Sequence, residues 1–196
     1  MPKIVDHQLR RVELAEAVWR VIARDGVDEI SIRSVATEAG WSSGALRHYF
    51  ATRAELLAFA CEEVIARVAA RITALPHTES VRDTVRAILH ETMPLDERRI
   101  TECSIAFAFV ALGLSNPHLA EVQRDHFGQM YGLCRGLIDD LAAGDALAQQ
   151  VSDREALSAQ LHALVDGLSL HGLAGHLAPP QMIAQLDGFL DEIIIG

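Results

Sequence analysis

The chain of 196 residues has no uninterrupted apolar run approaching the roughly 18 residues of a membrane-crossing helix, and its first residues lack the short apolar core of a signal peptide. A soluble, intracellular and cytoplasmic protein is therefore expected, with no membrane partner. Cysteine is scarce: Cys61, Cys103 and Cys134 are odd in number and far apart, with no CxxC pair to suggest a zinc or redox motif. They read as reduced, buried thiols. No G-x-S-x-G, phosphate loop or Cys-His signature is present, so no enzyme activity and no cofactor are expected. The nine histidines do not suggest a metal either, because His162, His171 and His176 are separated by nine and five positions and do not share one helix face as i, i+4 ligands would. His162 and Asp166 do have the i, i+4 spacing, that of a helix-surface hydrogen bond. β-Hairpin signals, internal repeats and low-complexity stretches are missing too.

What is present is apolar residues, half of the chain, and acid, with a net charge of -10. That balance argues at first against a nucleic-acid partner, since a duplex is a dense line of negative charge. Its distribution argues otherwise. Residues 1 to 56 carry eight basic side chains (Lys3, Arg10, Arg11, Arg20, Arg24, Arg33, Arg47, Arg53) and eight acidic ones, whereas residues 57 to 196 carry nine basic and nineteen acidic and hold the whole excess. A neutral N-terminal segment joined to an acidic body suggests divided labour.

The apolar spacing predicts an all-α protein of about nine helices. Leu9, Val12, Ala17, Val18, Val21 and Ile22 recur at helical intervals until Asp25-Gly26. Ser31 can cap a short second helix with Ile32, Val35, Ala36 and Ala39 inward and Gly40 at its end. Ser42 or Ser43 can cap a third, through Tyr49. Thr52 can cap a fourth, with Glu55 as in a capping box, a stripe of Leu56, Ala60, Val64, Val68 and Ile72, and Pro76 as its stop. Longer helices follow: one from Val81 that stops near Pro94, Ile100 to Leu114 bounded by Asn116-Pro117, and a long amphipathic one from Leu119 and Val122 to Gly144-Asp145. The last two are marked by Leu157 to Leu168 and by Ile183 to Ile193 after Pro179-Pro180.

Two short helices joined through a glycine and braced by a longer one outline a helix-turn-helix, whose second helix enters the major groove. In the third helix Leu46 and Phe50 can face the core, leaving Ser43, Gly44, Arg47 and His48 on the other side. Gly44 and Ala45 let a partner approach closely, and glycine is a poor choice for helix stability alone. Such outlines also occur in helical proteins that never touch DNA, so an all-α ligand-binding or protein-interaction module stands as the alternative.

The stretch "GWSSGALRHYFATRAELL", Gly40 to Leu57, resembles the signature of the TetR family of transcription regulators, and "ARDGVDEISIRSVATEAG" before it resembles that family's usual approach. The resemblance implies a DNA-binding domain over residues 1–52 and a ligand-binding and dimerisation domain over 53–196. It implies that Ser31 caps the second helix and faces a phosphate, and that Arg33 reaches a base edge. It places Ser42, Ser43, Gly44 and Ala45 at the groove-facing start of the recognition helix, and Arg47, His48 and Tyr49 against backbone or bases. Arg53 replaces the usual phosphate-binding Lys. Trp41 and Arg47 depart from a common Val and Tyr. Lys3, Arg10 or Arg11 could add phosphate contacts.

The same resemblance implies a homodimer through the last two helices, Val151 to Gly175 and Pro179 to Ile194, with Gly167 and Gly172 permitting close helix approach, on a pseudo-palindromic double-stranded DNA operator. "PLDERRITECSIAFAFVALGLSNPHLAEVQRDHFGQM" resembles, more loosely, the betaine-repressor-like branch. It leaves the small-molecule effector unidentified. Candidate lining for its pocket is Phe107, Phe109, Phe127, Met130, Tyr131 and Cys134, with Cys103 and His126 as polar points, although plain core is the commoner role for each such residue. The expected protein is a ligand-responsive regulator, a repressor released from DNA by its effector.

Overall fold

A computed structural model describes residues 7–114, 120–148 and 152–195, with side chains for 10, 12–114, 124–148 and 152–195. Expectations resting on Lys3, Leu9, Arg11, Asn116-Pro117, Leu119, Val122 and Val151 fall outside them. Among the described residues there are nine α-helices: α1 (His7–Asp25), α2 (Ile32–Ala39), α3 (Ser43–Arg47), α4 (Arg53–Thr73), α5 (Val81–Glu91), α6 (Glu97–Leu114), α7 (Ala120–Ala143), α8 (Arg154–Leu173) and α9 (Pro179–Ile193). A 3-10 turn, Val27–Glu29, separates α1 from α2. The chain packs as two compact units, Met1–Arg67 with Ser104–Leu119 and Val68–Cys103 with Ala120–Gly196. The 52/53 boundary drawn from the sequence falls at the first residue of α4, inside the first of these units, which divide at 67/68.

In the first unit, Leu14, Ala17, Val18, Val21 and Ile22 form the buried stripe of α1, while Val12 is 57% exposed. The sequence expectation for Val12 was wrong for a geometric reason: position 12 lies about 200° around the helix from Leu14. The hinge before α2 is a set of caps. The Ser31 hydroxyl accepts from Ser34 N–H at 3.0 Å, and the Ser34 hydroxyl accepts from Ser31 N–H at 2.9 Å. At the other end Gly40 adopts φ 69°, and Trp41 N–H donates back to the Ala36 carbonyl at 2.8 Å. A side chain at Gly40 would be strained there. Ser42 caps α3 through Ala45 N–H at 3.1 Å. α3 is five residues long, two fewer than expected, because His48 and Tyr49 close its end by tighter bonds to Ala45 and Leu46 carbonyls. Leu46, fully buried, pins it to the unit.

Thr52 caps α4 by accepting from Glu55 N–H at 3.1 Å, and Glu55 reaches back to Ala51 N–H at 2.8 Å, one residue earlier than in a true capping box. The helix ends at Thr73, before Pro76 is reached.

In the second unit, Val85 and Leu89 of α5, Cys134, Ile138 and Leu141 of α7, Leu161 and Val165 of α8 and Leu186 and Leu190 of α9 share one core. Each fully buried Leu or Ile contributes roughly 1.5–3 kcal/mol. The two expected close-approach glycines behave differently. A Cβ at Gly172 would lie 2.5 Å from Met182 Sδ, so this glycine serves the packing of α8 on α9, whereas nothing lies within 4 Å of a Cβ at Gly167. After α9, Ile195 N–H donates to the Ala146 carbonyl at 2.7 Å and Ala148 N–H to the Ile193 carbonyl at 2.9 Å, a short bridge no sequence signal announced.

Candidate functional site

Most of the expected contact residues of the first unit are exposed, on α2, on α3 or just after it. Arg33, Ser42, Ser43, Gly44, Arg47, His48 and Tyr49 are exposed, and Ser31 and Ala45 are half-buried. Ser31 and Arg33 line a shallow depression of about 360 Å³ together with Arg24, Ser34 and Glu38. Gly44 has no packing reason to be glycine: a Cβ there would meet only Ser42 Oγ at 3.9 Å, and its φ is not positive. Glycine costs about 1 kcal/mol against alanine inside a helix.

Charge around this surface is largely committed. Glu38 accepts from Arg20 at 2.7 Å and from Arg24 at 2.8 Å, and Arg24 also grips Asp25. Those two arginines hold the Glu38 carboxyl below the usual carboxylate range. Arg10 pairs with Glu13 at 3.0 Å and lies over the Trp41 ring, 5.0 Å from its centre, while Trp41 meets the Tyr49 ring edge-on at 5.4 Å. Arg53, expected on a phosphate, donates to the carbonyls of Ile30 and Val27, each at 3.1 Å, and lies 3.6 Å from Asp28 Oδ1. It ties the start of α4 to the loop ahead of α2. Arg33 and Arg47 make no ion pair among the described residues, so their guanidiniums are free to meet an outside anion.

The expected effector residues divide between the units. Phe107 and Phe109 belong to the first, where Phe109 is 1% exposed. Cys103, His126, Phe127, Met130, Tyr131 and Cys134 belong to the second. Cys134 sits in its core and Met130 packs against that core. Phe127 is 38% exposed, with the His126 and His162 rings 6.2 and 6.1 Å from its own. Burial pushes the Cys103 and Cys134 thiols up to about 12, so both stay protonated and unreactive. Burial, then the His162 charge, lowers the His126 pKa. No group of three or more metal-ligating side chains occurs among the described residues, although His171 and His176 come together at the end of α8, ring centres 5.2 Å apart.

A family model for bacterial regulatory proteins of the tetR family matches residues 14–59, and one for the C-terminal part of BetI-type transcriptional repressors matches residues 81–195. The chain belongs to the TetR family of transcriptional regulators. Among its curated relatives, the HTH-type transcriptional regulator PksA of Bacillus subtilis is 41% identical over 174 residues, 88% of this chain and 83% of that one. The nicotine-responsive repressor HdnoR of Paenarthrobacter nicotinovorans is 30% identical over 192 residues, 94% of this chain and 95% of that one. A transcriptional regulator from Rhodococcus sp. Rha1 has the same fold, with a TM-score of 0.78 at 28% identity over 93% of this chain and 95% of that one.

This TetR-family chain is thus a helix-turn-helix regulator and not an enzyme. None of its described helices is long and apolar enough to cross a membrane. Sequence reading missed two features of its site. The Arg10–Trp41 stack depends on residues thirty-one positions apart, and only the departure of Trp41 from the family's usual Val signals it. The tie from Arg53 to the loop ahead of α2 has no signal, because it is made mainly to backbone carbonyls.

Proposed function

We propose that the chain works as a homodimeric repressor, reading a pseudo-palindromic double-stranded operator through residues 1–52 and responding to a small organic effector held by residues 53–196. The observation that carries the DNA face is the pairing of two uncommitted guanidiniums, Arg33 and Arg47, with an unobstructed Gly44 on one exposed surface. Arg33 reads a base edge, and Ser43, Gly44 and Ala45 let α3 approach the groove floor. Ser31, Ser42, His48 and Tyr49 contact the backbone beside it, and Arg47 meets a phosphate or base. Arg53 braces the loop behind α2. Selection from random duplexes with purified protein tests the reading, and indifference to every sequence would overturn it.

Alanine substitutions separate the roles. Arg33→Ala should cost roughly 1–3 kcal/mol on the selected site and relax preference at one position. Arg47→Ala should reduce the slope of log K against log salt by about 1 per contact if Arg47 holds phosphate. Arg53→Ala should leave that slope unchanged and lower Tm, as expected of a brace. A slope reduced by about 1 for Arg53→Ala would restore it to the phosphate.

A dimer presents two recognition helices about 34–36 Å apart, matching successive major grooves. Support for it comes from α8, where Leu170 is 55% exposed one turn beyond the open Gly167, on the side away from Leu161 and Val165. Leu170→Glu should convert dimer to monomer in sedimentation equilibrium. Responsiveness to an effector is supported by the relative whose name records a response to nicotine. Effector binding releases DNA only by favouring a dimer state whose α3 helices no longer fit adjacent grooves.

A further inference from the structure

The His162 and Asp166 side chains of α8 do not form the open surface pair their spacing suggests. Their side chains are 14% and 37% exposed, and Nε2 lies 3.2 Å from Oδ2. That approach is poorly directed, so His162 Nε2 is buried without a hydrogen-bond partner among the described residues. Around the pair stand Phe127 and His126 of α7 on the His162 side. Cys103 of α6 and Cys134 of α7 lie near enough for the Asp166 charge to help raise their thiols. Among these groups His162 is the one base facing Asp166. No Lys or Arg forms an ion pair with Asp166 among the described residues.

A carboxylate half out of water beside one badly aimed imidazole is incompletely compensated. Built for stability alone, the site would be better filled by an apolar or neutral side chain. We propose that Asp166 and Phe127, both beside His162, receive the cationic end of a small organic amine, the carboxylate neutralising its charge and the exposed aromatic ring lying against it. The inference rests on the effector reading above and gives that effector a chemical class. An ammonium supplies the charge and N–H donors that Asp166 lacks, and the ring adds a cation–π contact. His162, packed against the ring and 3.2 Å from the carboxylate, is a positioning residue.

The stability sign distinguishes this from an ordinary ion pair. Burial raises the Asp166 carboxyl above the usual carboxylate range, against the lowering effect of His162. The folded protein therefore binds that proton more tightly than the unfolded chain. Ionised Asp166 costs stability at neutral pH, and the cost fades as pH falls through the raised folded-state pKa. Asp166→Asn should give a ligand-free Tm at pH 7.5 equal to or above that of the parent, with the gap closing on acidification.

The test is calorimetric titration of the full-length protein with phenethylamine and N-methylpiperidine, against the neutral counterparts 2-phenylethanol and cyclohexanol. The amines are expected to bind at least tenfold more tightly than the alcohols. Asp166→Asn should erase that preference, and Asp166→Glu should restore part of it. Equal affinity for amines and alcohols, no binding of either amine, or a preference that survives in Asp166→Asn would overturn the proposal. A Tm lowered by Asp166→Asn would instead make the pair a structural ion pair and overturn it too. Failure here, with parent and Asp166→Asn proteins selecting the same DNA, leaves the repressor reading standing. Failure of DNA selection with amine preference intact removes that reading alone.

Discussion

Gly44→Glu should lower affinity for the selected operator on the order of a hundredfold, about 2.7 kcal/mol, while leaving Tm unchanged or slightly raised. The two halves of this result have separate causes. On the protein side the new Cβ meets nothing closer than 3.9 Å, and glutamate near a helix N-terminus is favoured both by propensity and by the dipole. On the DNA side each protomer would present an anion and a longer side chain where α3 must approach the groove. Gly44→Ala should show the same divergence on a smaller scale. Fluorescence anisotropy of labelled operator and thermal melts of the same preparations check it. Unchanged affinity in Gly44→Glu would move the contact surface away from α3.

The second large effect lies in the second unit. Arg71, 19% exposed, grips Glu102 with both terminal nitrogens at 2.7 and 2.6 Å and meets Glu91 at 2.5 Å. Glu102 is 2% exposed, and its other cation is Arg98 at 3.4 Å. Arg71→Met should therefore leave a buried carboxylate poorly paired and cost about 3–5 kcal/mol, a fall in Tm on the order of 10 °C. The double variant Arg71→Met with Glu102→Leu should recover much of the loss, because it removes the stranded charge as well. Urea unfolding at one fixed protomer concentration measures both, since a dimer's apparent stability depends on concentration. A double variant as unstable as the single one would mean that the ion pair itself, rather than the stranded charge, supplies the stability.

Helix existence was legible because it follows from local periodicity: α2, with its Ser31 cap and Gly40 stop, lies where the spacing puts it. The errors arise where one periodicity admits two phases or where tertiary contact decides. Val12 fits a helical interval but not the phase set by Leu14, Val18 and Val21, which only the packing of the first unit selects. Phe109 and Cys134 could be read as pocket or core, and sequence carries no information on which element covers them; in the fold both are buried. The surface reading of His162 and Asp166 failed similarly, because the spacing gives their proximity and the rings and thiols of other helices give their environment. The contact surface was more legible than the effector region. Its residues fall within one short motif, whereas the effector candidates are spread over several helices.

The pairing of Arg20 and Arg24 with Glu38 bears on how such a protein finds its target. Attraction to arbitrary duplex scales with the number of phosphates neutralised, and the described residues of the first unit offer two uncommitted cations per protomer, Arg33 and Arg47. A dimer would then show a salt slope of only about -4 from these groups. With only these groups on phosphate, and with repulsion through a body carrying all of the net charge of -10, it would search mainly by diffusing free between encounters. Few copies would be lost to bystander sequence, and promoter occupancy would follow effector concentration without a large cellular stock of the regulator.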